Sequence, residues 1–342
     1  RWVIIATERA ARPHDFSMGR GERKGGFCPF CEGNEDRTPP ELEAIGEDGR
    51  EPDTSGWQVR VVPNKFPALQ LEGEVDAQGV GPYHRVAGVG AHEVIIESPR
   101  HMISPTQMSA VEFEPVVQMY VNRCRALSLD ERLAYVLVFK NVGEAAGASL
   151  EHSHSQIIAV PVIPRRVHEE MECSEVFHNR RRACLFCDVI EQELKARERV
   201  VIESRDFVVL SPYAARFPFE MMVLPKHHAP HFHQTEERLQ PQLAHVLHEA
   251  LVRMELCLED PPYNYAIHTS PVTGLEPDYY HWHIEIIPRV TRVAGFEWGS
   301  GFYINPMEPE RATEFMRALP PRDVRERTGL PEVVQTTPGQ AY

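Results

Sequence analysis

One ordered pattern of cysteines, apolar segments and histidines occurs twice along this chain of 342 residues. Each copy has a Cys-x-x-Cys pair, an apolar segment, a segment containing Pro-x-His and a segment containing His-x-His. These elements lie at 28–31, 59–67, 92–101 and 152–156 in the first copy, and at 184–187, 207–212, 219–228 and 281–288 in the second. Because order and type are both kept, the sequence predicts a duplicated unit.

Each copy also contains a segment with apolar residues at helical spacing, 108–127 and 239–258, and Ser109 is a candidate cap for the first. The segments 33–56 and 70–88 are rich in Gly, Pro, Asp and Glu and are predicted to be loops. We therefore expect an α+β fold of duplicated units, with antiparallel sheets and helices packed on one face. The predicted division is 1–172 for the catalytic repeat, 173–320 for the second repeat and 321–342 for a poorly ordered tail.

Composition narrows the class of partner and compartment. The formal net charge of −14 argues against a nucleic-acid or anionic-membrane partner, so a phosphate ligand needs a local pocket. No apolar run approaches the roughly 20 residues that span a bilayer, and no signal peptide is visible, although the chain begins at Arg1 rather than Met. Seven cysteines, four of them in Cys-x-x-Cys pairs, fit a reducing compartment. These features predict a cytoplasmic protein.

The cysteine pairs and later histidines predict two structural zinc sites, because two thiolates and two imidazoles complete a tetrahedral shell with no position left for water. The pairs begin 156 residues apart (184 − 28), and each has its own histidines. Redox dithiols and ordinary core cysteines are the alternatives, and His227 and His283 compete with two of the proposed ligands. The predicted ligand sets are Cys28, Cys31, His101 and His152, and Cys184, Cys187, His228 and His281.

The segment His152-Ser153-His154-Ser155-Gln156 lies between a glycine-bearing loop at 141–147 and the apolar stretch 157–160. On a strand, residues two apart point to one face, so His152, His154 and Gln156 are predicted to be aligned. A solvated strand face is the plainer interpretation. If His152 binds a metal, however, His154 is held rigidly without being a ligand, and its imidazole is free to attack a phosphate.

Over roughly residues 1–318 the chain resembles the galactose-1-phosphate uridylyltransferase family, a branch of the histidine-triad superfamily. The resemblance rests on the ordered set 9–13, 28–31, 64–66, 98–101 and 141–156, and on the strand after His281. It implies ping-pong nucleotidyl transfer, with His154 as the nucleophile that forms a covalent nucleotidyl-histidine. Gln156 stands where histidine-triad hydrolases have a third histidine. An amide cannot transfer a proton, which favours a transferase over a hydrolase.

The resemblance also implies the substrates, a nucleoside-diphosphate sugar and a sugar 1-phosphate, and a homodimer. Gly147 would let backbone approach phosphate, and Ser149 could donate to it. The implied substrate-binding residues are Arg9, Arg12, Asn64, Phe66, Asn141, Gly147, Ser149 and Ser155.

Three features depart from the family pattern. The usual His-Pro-His-Gly-Gln is His-Ser-His-Ser-Gln here, and 295–306 looks more like the ADP-glucose phosphorylase branch. Some members bind iron through a glutamate and three histidines, for which Glu170, His268, His281 and His283 are suitably spaced, although the second Cys-x-x-Cys favours zinc.

The leading hypothesis is exchange of UMP between UDP-hexose and hexose 1-phosphate in galactose metabolism. The alternatives are an ADP-sugar phosphorylase or adenylyltransferase, and a zinc-stabilised nucleotide-binding protein without turnover.

Overall fold

The computed structural model describes residues 3–5 and 26–330, which form fourteen strands and seven α-helices. In chain order the strands are β1 (Val3–Ile5), β2 (Glu43–Gly46), β3 (Trp57–Pro63), β4 (Ala77–Val80), β5 (Tyr83–Val86), β6 (Ala91–Ile96), β7 (Tyr135–Val142), β8 (His154–Val160), β9 (Val200–Glu203), β10 (Phe207–Leu210), β11 (Met221–Pro225), β12 (Tyr263–His268), β13 (His283–Pro288) and β14 (Tyr303–Asn305). The helices are α1 (Glu114–Leu127), α2 (Arg165–Arg181), α3 (Leu185–Ala196), α4 (Gln240–Leu258), α5 (Gly295–Ser300), α6 (Pro309–Arg317) and α7 (Pro321–Thr328).

Ten of the strands form one antiparallel sheet in the order β2-β3-β6-β8-β7-β12-β13-β11-β10-β9. The second five strands repeat the first five in reverse order across the sheet, and the two sets meet where β7 pairs with β12. In addition, β1 pairs with β14 in parallel, and β4 and β5 form a separate hairpin. The duplicated α+β fold predicted from the sequence is therefore confirmed.

Alternation along β8 shows how the sheet separates its two faces. Ile157 and Ala159 are fully buried in the main core, against apolar residues of α1 and α4, while His154 and Gln156 point to the opposite face. Burying an aliphatic side chain the size of Ile157 contributes about 1.5–3 kcal/mol. The core therefore fixes which face the histidines occupy, because a register slip of one residue would bury them among apolar side chains.

The two predicted helices are present, and each begins later in the chain than the sequence predicted. The first begins at Glu114 rather than near Met108, and the second begins at Gln240. Proline occupies the second position of both helices, and proline fits only a first turn because it lacks an N–H donor. Ser109 caps the short turn before α1, where its hydroxyl accepts a hydrogen bond from the Glu112 amide at 3.2 Å.

Three expectations about irregular segments are wrong in part. Predicted loop 33–56 contains β2, and predicted loop 70–88 contains the β4–β5 hairpin. These short strands obtain their hydrogen bonds from partner strands, which composition does not show. The predicted tail contains α7, which packs through buried Val324, and residues 331–342 lie outside the described residues. No helix among the described residues has the length and apolar character to cross a membrane.

Candidate active site and metal centres

Strand β8 begins at the second histidine of the His-x-His sequence, His154, and lies between β6 and β7 in the first half of the sheet. The Phe30 ring, from the first Cys-x-x-Cys loop, contacts both imidazoles, with centroids 6.0 Å from His152 and 5.4 Å from His154. Gln156 lies directly opposite Phe139 of β7, on the same face as His154. The structure therefore brings His152, His154 and Gln156 to one face of the sheet.

The His154 ring is held in one tautomer by backbone. Its Nδ1 lies 2.7 Å from the carbonyl oxygen of His152, and a carbonyl can only accept, so Nδ1 carries the proton. The lone pair is consequently on Nε2. Burial lowers the pKa of His154, which keeps the imidazole neutral at pH 7. A neutral, oriented imidazole has the properties of a nucleophile at phosphorus.

The first predicted metal set converges on one point. Nδ1 of His152 lies 3.4 Å from the Cys28 sulfur and 3.6 Å from that of Cys31, and Nδ1 of His101 lies 3.4 Å from the Cys31 sulfur. Zinc bonds of about 2.3 Å to sulfur and 2.0 Å to nitrogen in a tetrahedron place these atoms about 3.5 Å apart. Nε2 of His152 donates to the Ser98 carbonyl at 2.8 Å, which leaves Nδ1 free as a ligand.

The second set repeats this arrangement in the second half. The Cys187 sulfur lies 3.6 Å from Nδ1 of both His228 and His281, and Cys184 completes a group whose ligand atoms lie within 4.8 Å of one another. Nε2 of His281 lies 2.9 Å from the Pro225 carbonyl. This contact repeats the one between Nε2 of His152 and the Ser98 carbonyl in the first half. Between the competing histidines, the structure places His228 and His281, rather than His227 and His283, beside the cysteines. Both donor sets fit a four-coordinate ion.

A third group of possible metal ligands lies in the second half and contains three of the four residues of the alternative iron site. Glu170, His268 and His283 could together hold a metal ion, but His281 points to the cysteines. Nδ1 of His268 contacts the Glu170 carboxylate at 2.8 Å. Burial opposes the charge of His268, but Glu170 and Glu285 outweigh it and raise its pKa. The set of one glutamate and three histidines is therefore not assembled around one point.

The counterparts of His154 and Gln156 in the second half are His283 and Glu285 of β13. Nδ1 of His283 lies 3.2 Å from the His281 carbonyl, which repeats the tautomer contact of His154. Glu285, however, is fully buried and accepts a hydrogen bond from Arg216 at 2.7 Å. A carboxylate at this position repels phosphate, so the described geometry favours phosphate chemistry in the first half alone.

Some of the predicted substrate residues have contacts that place them near the histidine face. Asn64 and the largely exposed Phe66 lie on the loop after β3, where the Phe66 amide donates to Oδ1 of Asn64 at 2.9 Å. Asn141 is two residues from Phe139 and shares its face, and its Oδ1 accepts from Asn264 at 2.7 Å. Gly147 has φ +89°, a left-handed conformation that favours glycine, and Ser149 is exposed. Arg9 and Arg12 lie outside the described residues.

The side chain of Ser155 is not brought to this face. It is fully buried on the core side, where its hydroxyl donates to Glu97 at 2.5 Å and contacts Tyr120 at 2.6 Å. Glu97 also accepts from Lys140 at 2.5 Å, and Lys140 donates to the His154 carbonyl at 3.0 Å. A network of buried polar groups thus supports the strand from beneath His154.

His92, on β6, is a further residue of this face and was not predicted from the sequence. Its Nε2 lies 2.8 Å from Oε1 of Gln156, and its Nδ1 accepts from the Ala68 amide at 3.1 Å. A histidine at the second position of a strand carries no sequence signal of its own. Only the pairing of β6 with β8 brings it to Gln156.

A family model described as "Domain of unknown function (DUF4921)" matches residues 87–331. The ADP-glucose phosphorylase of Arabidopsis thaliana is 37% identical over 326 residues, which cover 93% of this chain and 90% of that protein. The galactose-1-phosphate uridylyltransferase of Thermotoga maritima is 27% identical, with coverage of 92% and 94%.

A crystal structure of the Arabidopsis thaliana ADP-glucose phosphorylase with bound ADP-glucose has a TM-score of 0.79 at 34% identity, over 94% of this chain and 96% of that one. A uridylyltransferase structure, 24% identical with a TM-score of 0.75, shares the fold. The relatives are thus named nucleotidyl-transferring enzymes. By sequence and by fold, the chain belongs to the galactose-1-phosphate uridylyltransferase-like family of nucleotidyltransferases.

Proposed function

We propose that this protein transfers the adenylyl group of ADP-glucose to inorganic phosphate through a covalent intermediate on His154. The observation that carries the mechanism is the fixed tautomer of His154, whose Nε2 lone pair remains available beside Phe30 of the first Cys-x-x-Cys loop. The choice of donor is supported by the similarity to a relative named ADP-glucose phosphorylase, at 37% identity, against 27% for the Thermotoga maritima uridylyltransferase.

In the first step, Nε2 of His154 attacks the α-phosphorus, the bond to the bridging oxygen breaks, and its electron pair leaves with glucose 1-phosphate. In the second step, a phosphate oxygen attacks the same phosphorus, the P–N bond breaks, and ADP forms while Nε2 recovers its lone pair. The His152 carbonyl stabilises the positive charge of the nucleotidyl-imidazole through Nδ1–H. Dividing one displacement into two lowers each barrier.

Gln156 would donate its amide N–H to a phosphate oxygen in both steps. An amide stabilises developing charge but supplies no proton, so the leaving group must depart as an anion. A sugar phosphate does this readily, whereas an alkoxide does not. The residue therefore favours transfer between phosphates.

Zinc is the proposed metal at both Cys₂His₂ groups, because thiolate and imidazole donors at tetrahedral spacing suit that ion. Bound zinc would supply a fixed anchor for each His-x-His strand. His152 and His281, each two residues before its strand, would hold it from that side. Cys28 and Cys31 would hold it from a turn, and Cys184 and Cys187 from the N-terminal end of α3.

Uridylyl exchange between UDP-hexose and hexose 1-phosphate is the second candidate. Its support is the family resemblance together with relatives from several organisms named galactose-1-phosphate uridylyltransferase, at 25–28% identity. The two candidates share the His154 step and differ in base and acceptor.

Intact-protein mass after brief exposure to ADP-glucose, and separately to UDP-glucose, tests both candidates. We expect an added AMP that is lost in His154→Gly and discharged as ADP by inorganic phosphate. An added UMP that hexose 1-phosphate discharges would instead establish the second candidate. If neither donor modifies the native chain, covalent transfer is refuted and the zinc-stabilised binding protein becomes the better description.

A further inference from the structure

We propose that His92 is a positioning residue that connects the loop 64–68 to Gln156 and fixes the direction in which the Gln156 amide faces phosphate. This inference rests on the proposed function, since it concerns how the same site holds its phosphate donor. The observations behind it are three polar contacts of the His92 imidazole ring and one hydrogen bond to the His92 backbone carbonyl.

Strand pairing places His92 beside Gln156. In the antiparallel pair of β6 and β8, His92 lies opposite Ile158, and Gln156 is two residues further along the same face. The ring therefore reaches diagonally across the pair, and its Nε2 lies 2.8 Å from Oε1 of Gln156. The contact is a direct consequence of the register.

The loop after β3 determines which ring nitrogen carries the proton. The Ala68 amide donates to Nδ1 of His92 at 3.1 Å, so Nδ1 must be unprotonated and Nε2 must carry the hydrogen. The Asn64 amide donates to the His92 carbonyl at 2.8 Å, which holds the same loop against the backbone of β6. Two backbone donors of one loop thus surround His92.

The protonated Nε2 in turn determines the orientation of Gln156. Nδ2 of Asn64 also lies 3.1 Å from this nitrogen, but Oδ1 of Asn64 accepts from the Phe66 amide. Asn64 therefore offers only N–H groups there and makes no hydrogen bond with the protonated Nε2. Only an oxygen can accept the Nε2 proton, and Gln156 must therefore turn Oε1 toward His92. Its NH₂ group is then directed away from His92.

This orientation supplies what the proposed chemistry needs at Gln156. A phosphate oxygen only accepts, so a reversed amide would present oxygen to oxygen and lose the interaction. Gln156 and His154 are about 7 Å apart along the strand, a separation that a bound phosphate group can bridge. His92 thereby transmits the position of the loop that carries Asn64 and Phe66 to the phosphate-binding amide.

The test is a double-mutant cycle on the rate of adduct formation in single turnovers with ADP-glucose, or with UDP-glucose if that is the donor. The variant His92→Phe keeps a ring of similar volume and removes both nitrogens. We expect it to slow the step about tenfold, the worth of one hydrogen bond to a charged group, with the donor Kd changed less than about threefold. Gln156→Ala should slow it about 100-fold or more.

In the Gln156→Ala background, adding His92→Phe should change the rate less than twofold, because His92 acts only by orienting the Gln156 amide, which this background lacks. His92→Gln can place an amide donor near the position of Nε2 and should restore most of the rate, whereas the shorter His92→Asn should not. His84→Phe, on the exposed β4–β5 hairpin, is the matched control and should react as the native chain does.

The positioning role would be overturned if the rate effects of His92→Phe and Gln156→Ala multiplied in the double variant, or if His92→Gln lost as much rate as His92→Phe. Either result would leave the proposed function intact. If the native chain itself forms no adduct with either donor, the proposed function has failed first. Metal content and thermal unfolding are measured for each variant, and His92→Asn and His92→Gln keep the comparison informative if His92→Phe does not fold.

Discussion

At the scale of single residues, the two halves share the same histidine–carbonyl contact and differ in the residues beside it. Both His154 and His283 direct Nδ1 at a carbonyl two residues earlier. The neighbouring Gln156 is partly exposed, whereas Glu285 is buried and paired with Arg216. The difference of one side-chain atom, an amide nitrogen for a carboxylate oxygen, separates a position that can donate to phosphate from one that repels it.

The ion pair of Lys140 and Glu97 leads to a prediction about stability. Both side chains are fully buried, and with Lys140 replaced by Met the Glu97 carboxylate loses its compensating charge. We expect Lys140→Met to lower the free energy of unfolding by about 3–5 kcal/mol. The double variant Lys140→Met/Glu97→Gln should recover part of that loss.

Urea unfolding at pH 7 measures these changes, with Lys195→Met, an exposed lysine of α3, as the control. The control should stay within about 0.5 kcal/mol of the native chain. Equal stability of Lys140→Met and Lys195→Met would show that the buried pair contributes little.

The two Cys/His groups that could hold a metal ion could be predicted from sequence because cysteine and histidine pairs at fixed spacing have few other uses. The choice of His228 over His227 could not, since adjacent residues differ only in direction. The position of Ser155 and the role of His92 also required the strand register. Alternation along the strand predicts that Ser155 and His154 point to opposite faces of the sheet. It does not predict that Glu97 and Tyr120 are the hydrogen-bond partners of the Ser155 hydroxyl.

At the scale of elements, the two Cys-x-x-Cys pairs lie beside equivalent histidines but in different local structure, the first in a turn and the second at the start of α3. Phe30 of the first pair contacts His154, whereas Phe186 of the second contacts His283 at 4.8 Å between centroids. Cys31→Ser and Cys187→Ser are therefore a matched pair. Each should lose one metal ion per chain by elemental analysis.

Only Cys31→Ser should slow adduct formation, by tenfold or more, because support of the reacting strand is lost with the metal. We expect Cys187→Ser to react within about threefold of the native chain while unfolding at a lower temperature. The reverse order of activities would place the reacting strand in the second half.

The outer strands β2 and β3 are connected by a charged network that makes stability depend on pH. Burial opposes the charge of Glu41, but hydrogen bonds from Arg50 and Arg60 outweigh it and hold the pKa of Glu41 at about 2. A carboxylate with a lowered folded-state pKa stabilises the fold above its unfolded pKa, about 4.5, and loses this contribution as pH falls toward 2.

We therefore expect Glu41→Gln to be less stable than the native chain at pH 7, and the difference to narrow steadily below pH 4.5. Denaturant midpoints at several pH values give the comparison. Glu131→Gln, at an exposed position, serves as the control and should show no such narrowing. A constant difference down to pH 3 would contradict the assigned network.

The central helices and strands could be predicted from periodicity, because each buries one long apolar face. The short strands β2, β4 and β5 could not, since four residues carry too little periodic signal. Helices α2 and α3 were also missed: α2 buries little beyond Val167 and Ser174, so its apolar stripe is faint.

At the scale of the whole molecule, the halves share one sheet and one main core. Apolar residues of α1 and α4 belong to the same buried cluster, and the hydroxyl groups of Tyr120 and Tyr265 meet across the halves at 2.6 Å. We expect one cooperative unfolding transition. Trp57 and Trp282 are buried in different halves and provide separate probes.

Single-tryptophan variants that retain Trp57 or Trp282 should give coincident denaturation midpoints, in agreement with far-ultraviolet circular dichroism. Separate midpoints would show that the repeats unfold independently and would support the predicted boundary near residue 172. The repeat itself could be predicted from sequence. The continuity of the sheet could not, because alternation does not show which strand edges meet.

The repetition of five strands in reverse order across one sheet affects how the sequences of the two halves can change during evolution. In a symmetric dimer of single units, every substitution appears twice, so a change that closes one site closes both. Here the two units are joined in one chain, and each can accumulate its own substitutions. Glu285 and Arg216 could therefore arise in one copy while Gln156 stayed in the other, and a symmetric ancestor could become an asymmetric enzyme without losing its reaction.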